Sequence, residues 1–161
     1  MSKFKLPKPR FDRKIANEGR EFYIEDENGT YWGTFRIGLI DNTLPRYRLA
    51  LEKLSNKYNN NPKGPLGKRI ALDDNIAAEL FVELALIDWK DVGDWHEDAK
   101  DGAMIPFTKA NAVEFFTLHD IDEETGDKIY HTAWLLKRLS EESENIRNFQ
   151  PAEQTEDAEG N

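Results

Sequence analysis

The clearest alternation of apolar and polar positions lies in the first quarter of the chain. Residues 21–25 and 30–37 alternate with a strand-like period on either side of Asn28-Gly29, a pair that supplies the two positive φ values of a type I′ turn. The pattern therefore predicts a β-hairpin. Because an isolated hairpin is only marginally stable in water, its apolar side chains should pack on helices or on a further strand. These side chains are Phe22, Ile24, Phe35 and Ile37.

Three to four helices should follow the hairpin. Residues 45–58 form the first, with Pro45 in its opening turn, where proline is tolerated. Thr108 is placed to cap a later helix over residues 109–119, and the last helix is expected to begin at Asp127. These elements predict an α+β fold that is mainly helical, with the N-terminal hairpin packed on the helices.

The central helix is predicted to follow Asp73-Asp74 and to end near Trp89. Its core face consists of the apolar residues at helical spacing, which are Ile76, Ala77, Leu80, Phe81, Leu84 and Ile87. Val82 and Leu86 point to the opposite side. Either another part of the chain covers these two residues or a partner does. Internal cover is the simpler explanation, because a small α+β domain often buries a central helix on all sides.

Large aromatic side chains also occur in polar surroundings. Tyr130 and Trp134 are four residues apart, so on the predicted last helix they share a side near Lys137. Trp95 lies among the acidic residues of the segment between Trp89 and Pro106. Aromatic residues rimmed by charge are typical of interaction hot spots, although they also pack helix ends and loops into a core. The candidate partner-binding residues are Val82, Leu86, Trp95, Tyr130 and Trp134.

Composition favours a single soluble domain. The chain has 161 residues, of which 39% are hydrophobic and 33% charged, and it contains no cysteine. Without cysteine it has neither a disulfide framework nor a thiolate metal site, which is typical of a cytosolic protein. No window approaches the roughly 20 apolar residues of a membrane span, and the charged start lacks the apolar stretch of a signal peptide. We expect no membrane partner.

The charge is unevenly distributed. Residues 1–20 carry seven Lys/Arg against two acids, a balance of +5, which leaves −14 for the rest of a chain whose net charge is −9. We expect residues 1–19 to form a flexible basic arm, residues 20–149 a single α+β domain, and residues 150–161 a disordered acidic tail. The acidic body would repel nucleic acid, so no nucleic-acid partner is expected.

Patterns typical of catalysis or of cofactor binding are weak. His96, His119 and His131 share no ligand spacing, and the acidic run from Asp120 lacks the glycine and glutamate positions of a calcium loop. The glycines at residues 64–67 lack the spacing of a phosphate-binding loop. We therefore expect no catalytic residues, no metal site and no cofactor, and the protein is not predicted to be an enzyme.

The order of several short motifs resembles a known family. Ile87-Asp88-Trp89-Lys90-Asp91-Val92 is followed, after an acidic loop, by Ile105-Pro106-Phe107-Thr108-Lys109-Ala110-Asn111. Arg46-Tyr47-Arg48 lies upstream and Asn145-Ile146-Arg147-Asn148-Phe149 downstream. This order is similar to that of the tail assembly chaperones of long-tailed, siphophage-type bacteriophages. Asp91 stands where that family commonly has a glycine, and the loop over residues 93–104 is longer and more acidic than usual.

The resemblance implies a function. Tail assembly chaperones bind the tape-measure protein, keep it soluble and help to recruit tail-tube subunits in the host cytoplasm, and they are absent from the mature virion. Further partners implied are the tail-tube protein, a frameshift-extended form of the chaperone, and a second copy of it. Two alternatives remain open, namely a small structural tail or head–tail completion protein of the virion, and an acidic phage inhibitor of a host nucleic-acid-binding protein.

Overall fold

A computed structural model describes residues 3–59, 75–93 and 104–151 of the chain. The predicted acidic tail beyond residue 151 and the part of the acidic loop that contains Trp95 lie outside these described residues. Within them, the α+β fold class predicted from the sequence is confirmed.

Helices and strands are interspersed along the chain. The helices are α1 (Arg13–Glu18), α2 (Pro45–Asn59), α3 (Asn75–Leu84), α4 (Lys109–Phe116) and α5 (Ala133–Glu144), with a 3₁₀-helix (Ile146–Phe149) after α5. The strands are β1 (Arg20–Glu25), β2 (Tyr31–Ile37), β3 (Leu86–Lys90), β4 (His119–Ile121) and β5 (Lys128–Tyr130). The first three strands form an antiparallel sheet in the order β1-β2-β3, and β4 pairs with β5 in a separate hairpin.

The β1-β2 hairpin is confirmed, but its turn differs from the predicted type. The carbonyl of Asp26 accepts from the amide of Gly29 at 3.0 Å, and the amide of Asp26 donates to the carbonyl of Thr30, also at 3.0 Å. Gly29 has φ 80°, whereas Asn28 is not among the described residues with positive φ. The turn is therefore a three-residue loop with glycine at its left-handed position rather than a two-residue type I′ turn.

The main core lies between the three-stranded sheet and the helices. Alternate residues of β2 face inward, and Phe35 and Ile37 are fully buried. Phe35 lies next to Trp89 on the neighbouring strand, with ring centroids 6.3 Å apart, and 6.2 Å from Phe115 on α4. The hairpin side chains predicted to need cover thus pack on a third strand and on helices.

The central helix is shorter than predicted. It ends at Leu84, and Leu86–Lys90 forms β3, in which Leu86 pairs with Ile37 of β2. Val82 and Leu86 are 1% and 5% exposed, so both are core residues covered by the chain itself. Their interpretation as partner contacts is corrected accordingly, because a partner cannot reach a side chain that the fold already buries.

Within the N-terminal arm, regular structure begins earlier in the chain than predicted. Phe11 is buried in a second cluster with Leu39, Leu44 and Phe149, and the amide of Asp12 donates to the carbonyl of Phe149 at 2.9 Å. The Asp12 carboxylate then caps α1. The predicted flexible arm over residues 1–19 is therefore wrong from Phe11 onward, whereas residues 3–10 are exposed.

The region before the last helix also differs from the prediction. The α4 helix begins after the predicted Thr108 cap, whose hydroxyl accepts from the amide of Asn111 at 3.0 Å, but it ends at Phe116. The β4-β5 hairpin follows, and α5 begins only at Ala133. Tyr130 is consequently a strand residue, while Trp134 lies on the helix.

Candidate partner-binding groove

An open apolar groove lies between α3 and α5, and it is our candidate for a partner-binding surface. We call it the alanine groove; its volume is about 430 Å³, and its lining residues are Ala77, Ala78, Phe116, Tyr130, Ala133, Leu136, Lys137 and Ser140. A volume of this size is typical of sites that accept several side chains of a ligand.

Helical spacing explains how α5 lines the groove. Residues 133, 136, 137 and 140 lie at i, i+3, i+4 and i+7, so they share one face. Leu135 and Leu139 on the other face are fully buried and hold the helix on the core. Across the groove, Ala78 is buried and Ala77 exposed. Alanines on both walls leave room for the backbone of a bound segment to approach closely.

The β4-β5 hairpin extends this apolar surface. Tyr130 pairs with His119 and Ile121 with Lys128, and directly opposed residues of antiparallel strands project from the same face. The Tyr130 and His119 rings are accordingly in contact, with centroids 5.4 Å apart. Ile121 lies two residues beyond His119 on that same face and is 62% exposed. The exposed Ile121 side chain therefore lies beside the Tyr130 and His119 rings on the hairpin face that continues the groove.

Acidic side chains outnumber Lys and Arg by eight to three in residues 119–144, although Lys137 itself lines the groove. Five of these acids lie in residues 120–127, a stretch of the β4-β5 hairpin that contains no base. Within it, the Asp122 carboxylate accepts from the amide of Glu124 at 2.8 Å. At the end of α5, Glu141 and Glu144 are exposed one helical turn beyond Lys137 and Ser140. An apolar ligand that carries positive charge at its flanks fits this arrangement.

The candidate residues from the sequence do not form one surface. Tyr130 lines the alanine groove. Trp134 is half-buried and contacts Trp32 of β2 edge to face, with centroids 5.5 Å apart. Val82 and Leu86 lie in the core, and Trp95 is outside the described residues.

Sequence reasoning missed the alanines of the groove and Ile121. Ala133 and Leu136 do fall on an apolar stripe of the last helix, but periodicity assigns that stripe to the core. Ala77 comes from a helix more than 50 residues earlier in the chain, so only the tertiary structure brings it opposite Ala133.

A second groove lies between α2, α3 and α4, with a volume of about 580 Å³. Ion pairs cross its rim. The Glu83 carboxylate accepts from Lys53 at 2.6 Å and from Lys109 at 2.7 Å, while Lys57 donates to Glu79 at 2.9 Å. Because these pairs link three helices, we assign this groove to the packing of the helices rather than to a partner.

Glu83 is the most strongly held carboxylate of this second groove. Burial by itself would raise the pKa of Glu83, but the hydrogen bonds from Lys109 and Lys53 outweigh it and hold the pKa below its ordinary value. The carboxylate therefore stays ionised and keeps both lysines in place at neutral pH.

Over residues 3–59, 75–93 and 104–151, no group of three or more His, Cys, Asp or Glu side chains is arranged to hold a metal ion. In that same part of the chain, none of the helices combines the length and the apolar character needed to cross a membrane.

The elements and the groove define a small α+β domain with an open apolar groove, and the family match adds that the protein is phage-derived. Residues 40–161 match the family described as YdaY prophage protein, and the chain belongs to that family. The match includes every residue of the alanine groove. No curated protein and no solved structure matches the chain.

Proposed function

We propose that this protein is a tail assembly chaperone, which binds the tape-measure protein of its phage through the alanine groove and keeps it soluble. Its phage-derived family supports the proposal, as does the order of motifs shared with tail assembly chaperones. The observation that carries it is the groove itself, an apolar channel walled by alanines and built largely from residues 119–144, in which acids outnumber bases.

The groove suits one face of an amphipathic helix. Ala77 and Ala133 let the helix backbone approach, while Tyr130 and Leu136 offer apolar contact to side chains at i, i+3, i+4 and i+7 of the bound helix. The surrounding negative charge discourages association of one complex with the next. Reversible capture of exposed apolar helices without aggregation is what a chaperone of a long helical protein requires.

Two of the motifs that carry the family resemblance, residues 87–92 and 105–111, form one local unit. The Trp89 indole donates to the carbonyl of Ile105 at 2.8 Å and its ring packs on Phe107, with centroids 5.4 Å apart. The amide of Ile105 donates to the carbonyl of Val92, also at 2.8 Å. These contacts tie the end of β3 to the segment before α4, so the shared residues have a common structural purpose.

Asp91, the residue at which the motif departs from the family, also supports the resemblance. Asp91 follows Trp89-Lys90 and has φ 63°, a left-handed conformation that glycine adopts freely and aspartate tolerates better than most residues. A glycine is common at this position in the tail assembly chaperones. The backbone conformation therefore supports the resemblance at the very residue where the sequence departs from it.

Recruitment of tail-tube subunits, action in the host cytoplasm and absence from the finished virion complete the proposal. They come from the family resemblance rather than from the groove. An apolar groove large enough for a helix face leaves the rest of the acidic surface available to a second partner.

Co-expression with the tape-measure protein of the same phage tests the proposal. We expect the tape-measure protein to remain soluble and to co-purify with this chain. Ala133→Arg, which places a large cation on the groove wall, should abolish both effects. Ala110→Arg is the matched control, because Ala110 is also an exposed alanine in the first turn of a helix but lies in the second groove. A tape-measure protein that precipitates alone, with this chain present in purified virions, would instead establish a structural role.

A further inference from the structure

Residues 3–10, which we call the basic segment, combine positive charge with exposed apolar side chains. Four of the eight residues are Lys or Arg and none is acidic. Phe4 and Leu6 are 80% and 85% exposed, more than any other large apolar side chain among the described residues. Leaving an apolar side chain as exposed as that of Leu6 in water costs free energy that a binding partner would recover.

Apolar and cationic side chains alternate in the first part of the segment, where Phe4 and Leu6 follow Lys3 and Lys5. When this part is bound as an extended strand, the two apolar side chains project from one side and the two lysines from the other. A bound segment would therefore offer an apolar edge to a groove and a cationic edge to the carboxylates around it.

The segment is anchored to the domain at its far end. Phe11 is buried, and the carbonyl of Arg10 accepts from the Gln150 side chain at 3.3 Å. The preceding residues 3–9 span roughly 23 Å when extended. This reach is enough for the segment to enter a groove on a neighbouring molecule while Phe11 stays buried in its own domain.

We propose that the basic segment of one copy docks in the alanine groove of a second copy, and that reciprocal exchange forms a dimer. Phe4 and Leu6 enter the groove, and the lysines of the segment face the carboxylates of residues 120–127 and of the end of α5. Charge complementarity favours this occupant, since the segment carries four bases and no acid, whereas residues 119–144 carry eight acids against Lys128, Lys137 and Arg138. In the structure, Leu6 is 85% exposed and therefore does not occupy the groove of its own chain.

When each copy inserts its segment into the groove of the other, both segments and both grooves of the dimer are occupied. Because this inference rests on the groove and the segment alone, it holds whether or not the tape-measure protein is the client. If it is, the segment and the client compete for the same apolar walls, so client binding would convert dimers into client complexes.

Sedimentation of the full-length chain over a dilution series tests the proposal without any client. We expect the wild-type protein to be dimeric at high concentration and to dissociate as the salt concentration rises, because exposed charges are screened. Leu6→Asp and Ala133→Arg should each give monomers. Leu49→Asp, on an α2 leucine that is 58% exposed, and Ala110→Arg should leave the dimer intact.

Mixing the two monomeric variants tests whether the basic segment of one copy binds the alanine groove of another. Leu6→Asp retains an open groove and Ala133→Arg retains the segment, so the mixture should form a heterodimer that neither variant forms with itself. Far-ultraviolet circular dichroism confirms that each variant is folded. A monomeric wild type at every concentration, a dimer unaffected by both variants, or failure of the mixture to associate would overturn the proposal.

Discussion

Trp32 and Trp134 meet edge to face, with ring centroids 5.5 Å apart and ring planes inclined at 81°. The contact links β2 of the sheet to the first turn of α5. Since α5 also forms one wall of the alanine groove, this aromatic pair sets the position of that wall. We therefore assign Trp134 to the stability of the fold and Tyr130 to the groove surface.

Substituting these two aromatic residues separately should have different effects on stability. Trp134→Ala removes a half-buried ring that packs on the core, so we expect the free energy of unfolding to fall by about 2–3 kcal/mol. Tyr130→Ala should lower it by less than about 1 kcal/mol while weakening partner binding. Urea denaturation measures the first effect and co-purification of the partner the second. An equally large loss of stability for Tyr130→Ala would place that ring in the core instead.

The left-handed conformation of Asp91 predicts how substitutions rank at that position. Asp91→Gly relieves the backbone, although it loses the hydrogen bond from the Tyr31 hydroxyl to the carboxylate, which measures 3.0 Å. Asp91→Ala loses the same bond and keeps the strain. We expect the alanine variant to be less stable than the glycine variant by about 1 kcal/mol, as measured by thermal unfolding. Equal stability of the two variants would contradict the left-handed conformation.

The pH dependence of stability should report on Glu83. A carboxyl whose pKa is lower in the folded than in the unfolded state stabilises the fold above the unfolded value, and this contribution is lost as the pH falls through the folded value. Glu83→Gln should therefore be less stable than wild type at pH 7 by about 1 kcal/mol, a modest effect because both lysine partners are exposed.

That difference should shrink as the pH falls below 4.5, the ordinary pKa of the side chain, through the lower pKa of the folded state. Glu79→Gln, which loses a single lysine partner, is the control and should have the smaller effect at pH 7. Urea denaturation at a series of pH values measures both. A difference that persists unchanged in acid would show that the ion pairs are not its source.

Two glycines with positive φ should respond differently to alanine. At Gly33, with φ 133°, a Cβ atom would lie 2.8 Å from Cγ2 of Val92. At Gly29, with φ 80°, a Cβ atom would meet nothing within 4 Å. Gly29→Ala should cost only the conformational strain, about 1 kcal/mol, whereas Gly33→Ala adds a steric clash in the sheet and should cost roughly 2–3 kcal/mol. A chemical denaturation series ranks the two, and the reverse order would be inconsistent with the packing of β2.

Local patterns predicted several elements well. The β1-β2 hairpin, the α2 helix and the Thr108 cap are all signalled by residues close together in the sequence, and all three are present. The hairpin loop was predicted with the wrong type because Asn28-Gly29 suits a two-residue turn, whereas the Asp26–Thr30 pairing makes a three-residue loop.

The end of the central helix could not be read from periodicity. From Ile76 to Trp89 the chain is apolar on several sides and contains neither glycine nor proline, so a helix that continues into a buried strand looks like one longer helix. Pairing of Leu86 with Ile37 and of Trp89 with Phe35 decides the outcome, and these are contacts between distant parts of the chain. The same limit concealed the alanine groove, whose walls come from separate helices.

Direct binding of tape-measure helices tests the central claim most sharply. Peptides that span predicted amphipathic helices of the tape-measure protein would be titrated against wild type, Ala133→Arg and Ala110→Arg, with thermal unfolding to confirm that all three are folded. The alanine groove predicts binding to wild type and to Ala110→Arg, and at least about tenfold weaker binding to Ala133→Arg. Equal affinity for all three proteins, or no binding to any of them, would contradict it.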